Sequence, residues 1–221
     1  MDALALGTGF FLGLRHSLDP DHVAALAQFA SADPAPRRGL VFGLRWGAGH
    51  AAAVVLLGAL MVPAGLTLGG RYEHAAELLV GAMLIGLGAW RLHALGATSH
   101  AHQHRHADGT VHVHPHQHGR GHAGIGHVHA HAPTATGFVH GAAGVVGVLA
   151  LVPLAQGGAF ERALLIAAFA AGSVLSMGLF GFLAGRLYAS LGARPRLLQA
   201  AAALTAVAAL AIGALWIGRG L

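Results

Sequence analysis

Six long, predominantly apolar stretches, about 3–30, 38–63, 73–96, 137–157, 160–189 and 195–218, most constrain what this chain can become. A helix needs roughly 20 such residues to cross the ~30 Å hydrocarbon layer of a bilayer, and each stretch meets that length. Only 10 % of the 221 residues are charged, against roughly 25 % in a soluble domain, and the mean hydropathy is +0.63. These features predict an all-α integral membrane protein of six transmembrane helices. The first stretch does not read as a cleaved signal peptide: it starts Met1-Asp2, lacks a basic leader and runs straight into polar residues.

The connections are short except for the third. Residues 100–131 hold 12 of the 18 histidines, in "HAHQHRHADGTVHVHPHQHGRGHAGIGHVHAH". The tract lacks apolar periodicity and is expected to be a flexible loop, 98–136, between membrane halves 1–97 and 137–221. His100, His102, His104, His106, His112, His114, His116, His118, His122, His127, His129 and His131 are candidates for interchangeable binding of divalent ions, which suits buffering.

All 13 basic residues are arginine. Arg37, Arg38, Arg91, Arg105, Arg120, Arg186, Arg194 and Arg196 fall on one side of the spans, and Arg71, Arg162 and Arg219 on the other. Under the positive-inside rule this places both termini outside and the histidine tract in the cytoplasm. The arginines form no nucleic-acid patch. The absence of cysteine excludes thiolate ligands, disulfides and thiol relays.

The halves also match weakly. "GLRWGAGHAAAVVLLG" aligns with "AAFAAGSVLSMGLFG", and "GLRHSLDPDHVAAL" aligns with "GFVHGAAGVVGVLAL", which sets His16 opposite His140. Three spans per half make the expected repeats inverted, a plan common among secondary transporters.

The chemistry concentrates in "RHSLDPDH", Arg15 to His22. Pro20 has no N–H and its ring clashes with the carbonyl of His16, so the first helix should break at Pro20 and let side chains from different faces converge. Without a break, His16, Asp19 and His22 already share one face, and Arg15 is placed to pair with Asp19 at i+4. Ionisable residues inside a span are costly and mark functional sites by default. The alternative is an interfacial turn in which Pro20 ends one helix and Asp19 or Asp21 caps the next. His50 in "WGAGHAAAVV" and His140 in "FVHGAAG" sit beside small residues that allow close helix packing. Imidazole and carboxylate donors without sulfur suit borderline divalent ions such as Ni²⁺, Co²⁺ or Zn²⁺.

"HSLDPDH" resembles the H-x-x-x-x-D-H signature of the nickel/cobalt transporter family, and "LGLRHSLDPDHVAAL" is similar to the UreH-like branch of its shorter members. "RWGAGHAAAVV", "GFVHGAAGVVG" and "AAGSVLSMGLFG" resemble further family segments. The resemblance implies a permease of the cytoplasmic (inner) membrane that moves Ni²⁺ or Co²⁺ as its transported substrate, with no prosthetic group. Metal-selecting residues would be His16, Asp21, His22 and His50, with Asp19 nearby and His140 from the second half. Ser173, Ser176 and Met177 would contribute to the pathway, and Arg15 and Arg45 would tune its charge. The expected partners are the divalent ion and the lipid bilayer, with a cytoplasmic metallochaperone as a candidate. Uptake is the leading direction. Efflux is the alternative, and a membrane-anchored metal store or accessory protein is the rival of another class. An intramembrane metalloenzyme is disfavoured, because H-E-x-x-H is absent and no obvious nucleophile–base pair appears in the spans.

Overall fold

Pro20 divides the first apolar stretch into two helices, α1 (Ala3–His16) and α2 (Pro20–Ala32). In the computed structural model, which describes residues 3–62, 64, 70–96, 100–105, 111–116, 126–149 and 158–219, the chain leaves α1 after His16. The Leu18 and Asp19 amides donate to the Arg15 and His16 carbonyls at 2.9 and 3.0 Å, a tight turn. Asp19 is extended, at φ −61° and ψ 145°, and Pro20 opens α2 from the first helical position, where its missing N–H costs nothing. The expected count of six helices is thereby corrected to seven among the described residues. At 14 and 13 residues, α1 and α2 are each about 20 Å long, too short to span the bilayer alone.

The remaining helices are α3 (Pro36–Met61), α4 (Gly70–Gly96), α5 (Gly126–Leu149), α6 (Ala159–Ser190) and α7 (Pro195–Arg219). Helices α3, α4, α6 and α7 are long and apolar enough to cross a membrane. Much of their surface suits lipid: Leu175, Leu179, Leu183 and Leu187 form a stripe along α6 with more than half of each residue exposed. Leaving such leucines in water forgoes about 1.5–3 kcal/mol apiece. The chain is therefore a multi-pass membrane protein.

Two strands lie within the tract expected to be a loop. β1 (His100–Arg105) and β2 (Val111–His116) pair antiparallel, with His100 opposite His116, His102 opposite His114 and His104 opposite His112. The alternating His-x-His pattern has the period of a strand, and α5 begins at Gly126, inside the tract. His106, His118 and His122 lie outside the described residues.

Glycines bring helix backbones together. A Cβ at Gly39 would stand 2.1 Å from the Gly181 carbonyl oxygen, and one at Gly181 would stand 2.2 Å from that of Gly39, so neither position accepts a side chain. Gly43 meets Met177 further along, so α3 and α6 run in opposite directions. In contrast, Gly9 faces Leu165 and Gly13 faces Phe169, which sets α1 parallel to α6; Gly137 on Trp46 and Gly141 on His50 set α5 parallel to α3. The buried core is built from Ala24, Leu26, Trp46, Val80, Leu84 and Met177, with Phe29 and Phe42 packed against it. At the far end of α2, the Arg91 guanidinium donates to Ser31 Oγ and to the Ser31 carbonyl, at 2.8 and 2.7 Å. It thereby satisfies a carbonyl left open in the last turn of that helix.

Candidate metal centre

Four helices deliver imidazoles to one place. His16 is the last residue of α1, His22 lies in the first turn of α2, His50 is in the middle of α3 beside Gly49, and His140 is on α5 beside Gly141. The α1 end contributes the negative pole of its helix dipole, and α2 presents its positive pole to Asp19 and Asp21. His22, His50 and His140 are each at most 1 % exposed.

Carboxylates set the direction of the rings. Asp19 Oδ2 lies 3.1 Å from His16 Nδ1, and Asp21 Oδ1 lies 3.1 Å from His22 Nδ1 while accepting the His22 backbone N–H at 3.0 Å. The other Asp21 oxygen lies 3.1 Å from His140 Nε2. An ionised carboxylate only accepts, so those three ring nitrogens carry the protons. His16 and His22 therefore turn bare Nε2 lone pairs inward. Both face His50 Nε2, at 3.4 and 3.3 Å. One N–H on His50 can satisfy one of them, which leaves the other lone pair open. The Nδ1 atoms of His50 and His140 are buried without partners.

This is a donor set with the spacing of metal ligands. A tetrahedral ion bound about 2.0–2.1 Å from each nitrogen separates its ligand atoms by about 3.3–3.4 Å. A second group of three, Asp21, His22 and His140, also has donor atoms within 4.8 Å of one another. In the first group Asp19 and Asp21 brace His16 and His22 from behind, an arrangement that fixes ring orientation at metal sites and raises ligand basicity, whereas in the second Asp21 is itself a candidate ligand.

The structure brings together His16, Asp19, Asp21, His22, His50 and His140, and it separates the rest of the expected set. Arg15 and Arg45 are exposed. Asp19 takes His16 as its partner, and Arg45 lies by Asp33, Arg37 and Arg38 at a different depression. Ser173 Oγ donates to the Gly13 carbonyl at 3.2 Å and Ser17 Oγ to the Ser173 carbonyl at 3.1 Å, which ties the end of α1 to α6. Met177 packs in the core and Ser176 is buried on the same helix. Sequence reasoning missed Glu73 and Glu77, which line a cavity of about 400 Å³ together with His16, Asp19, Asp21, His22 and His140. Two carboxylates four residues apart in an apolar stretch were the available signal.

Fold and cluster together define a multi-pass helical membrane protein with a buried imidazole–carboxylate centre. The chain is similar to the urease accessory protein UreH of Bacillus sp. (strain TB-90), at 27 % identity over 189 residues that span 84 % of this chain and 78 % of that protein. This distant likeness supports the UreH-like assignment within the nickel/cobalt transporter family that the motifs suggested. No family model and no solved structure matches the chain.

Proposed function

We propose that this protein is a permease that takes up nickel or cobalt ions across the cytoplasmic membrane. The observation that carries this reading is the convergence of the His16, His22 and His50 Nε2 atoms, two of them 3.3 and 3.4 Å from the third, inside a membrane-spanning bundle. The imidazoles would ligate the dehydrated or partly dehydrated ion, and Asp19 and Asp21 would hold the rings. His140, anchored on Asp21, lays its ring beside His22, 4.1 Å between centroids.

Alternating access is supported by the helix directions. Gly13 on Phe169 has its counterpart in Gly137 on Trp46, and Gly172 on Phe10 has its counterpart in Gly49 on Thr134. The same correspondence sets His16 opposite His140. With α1 parallel to α6 and α5 parallel to α3, while α3 and α6 are antiparallel, the two halves read as inverted three-helix repeats with the cluster at their interface, where transporters bind their ions. The arginine bias places both termini outside and the tract from 98 in the cytoplasm. The cavity beside the start of α4 then opens outward, where an ion taken up would enter. The histidine tract would buffer ions arriving inside and offer them to a cytoplasmic acceptor.

The test is uptake of radioactive Ni²⁺ and Co²⁺ into proteoliposomes. The wild type is expected to accumulate ion and His22→Ala to fall to the level of empty vesicles. The accessory role in the relative's name favours a second reading, a membrane-anchored metal store. Metal binding without flux, insensitive to His22→Ala, would select the store.

A further inference from the structure

The cavity grades from exposed carboxylates to buried imidazoles. On its walls Glu73 is exposed, the Asp19 and Glu77 side chains are 42 % and 28 % exposed, that of His16 is 22 % exposed, and those of Asp21, His22 and His140 are 11 %, 1 % and 2 % exposed. Glu73 and Glu77 lie one helical turn apart, and Ala76 and Val80 line the cavity beside them. One turn deeper the same face of α4 is core, where Val80 and Leu84 are buried. The carboxylates thus border the cavity on the helix face that continues into the core. Charges in a span are tolerated where they face a bundle interior or water.

No arginine lines this cavity among the described residues, whereas Arg37, Arg38 and Arg45 line the depression beside Asp33. His140 forms part of the cavity's floor, is buried, and has an Nδ1 with no partner. Six water molecules at about 30 Å³ each occupy about 180 Å³, so a cavity of about 400 Å³ admits a hydrated ion.

We infer that Glu73 and Glu77, with Asp19, form an acidic mouth that captures the hydrated divalent cation and passes it to His16 and the buried imidazoles. This rests on the permease reading and adds to it the residues that the ion meets first. Carboxylates hold hydrated cations through water, and imidazoles replace that water deeper in, so the mouth sets the rate of entry and the imidazoles set affinity. A low-dielectric cleft of one charge sign concentrates counter-ions and raises their association rate.

The test is stopped-flow binding of Co²⁺ to the purified full-length protein in detergent, read by the visible absorption of the ion, with His22→Ala as the blank for binding elsewhere on the chain. The Glu73→Gln/Glu77→Gln double variant is expected to associate about tenfold more slowly at low salt. The gap should narrow as ionic strength rises, with dissociation unchanged, and Glu73→Asp/Glu77→Asp should restore the rate. An unchanged association rate in the glutamine variant overturns the acidic mouth. Slow association that the aspartates fail to restore also overturns it, because charge alone is then not the cause. A wild-type signal indifferent to His22→Ala would instead remove the permease site itself, a failure distinct from that of the mouth.

Discussion

Asp21 is the residue on which the cluster turns, because its two oxygens hold His22 and His140 at once. Asparagine keeps its shape but offers one acceptor and one donor, so one ring loses its brace. Asp21→Asn is expected to weaken Co²⁺ binding about 10–100-fold, in the range measured when such braces are removed elsewhere. Isothermal titration should show Ser176→Ala close to wild type. Acid should release the ion: a ligating imidazole must be unprotonated, so affinity is expected to fall as pH drops. A pH titration of bound Co²⁺ checks the sign. Much of this cluster was legible in the sequence, since charged and imidazole groups around a proline in an apolar helix have few other uses. The pairing of Arg15 with Asp19 was misread for a physical reason. It assumed an unbroken helix, and α1 ends at His16, so the i+4 geometry does not exist.

At the level of elements, close backbone approach decides where the helices can sit. Gly39→Leu places a side chain against the Gly181 carbonyl and is expected to destabilise the bundle by about 3 kcal/mol, the upper part of the range for overpacked cores. Gly86→Ala meets nothing within 4 Å on α4 and should be neutral or stabilising by up to about 1 kcal/mol. Thermal melting of the two variants in detergent separates these outcomes. The split of the first stretch could be read from Pro20, but the length of each piece could not, because Asp19 had to leave helical geometry for α2 to start at Pro20. The β1–β2 pair was hidden for the opposite reason. Its His-x-His alternation reads equally as compositional bias, although alternating runs on either side of an Asp108-Gly109 pair are a hairpin signal. Glu73 stands at the first residue of the expected span, 73–96, and only its place on the cavity wall beside Glu77 and His16 marks it for the site.

For the whole molecule, the acid-lined cavity beside the start of α4 and the arginine-lined depression beside Asp33 give the bundle two electrically different sides. The chain has no cysteine, so a single introduced thiol reports access cleanly. Ala76→Cys is expected to react with a membrane-impermeant thiol reagent applied outside intact cells, with Ni²⁺ slowing the reaction, and Phe42→Cys to be protected. Labelling of Ala76→Cys only after the cells are opened would reverse the orientation. Replacing the histidines of 100–118 by glutamine should lower the total metal bound while leaving flux within about twofold of wild type, because those residues are separate in sequence from the buried donors. The central claim is that three converging imidazoles, His16, His22 and His50, hold one ion, and X-ray absorption of a single equivalent of Co²⁺ on the glutamine-substituted chain tests it most directly. The cluster predicts imidazole scattering at about 2.0–2.1 Å that declines in His50→Ala. A spectrum of oxygen ligands alone, identical in the two proteins, would contradict it.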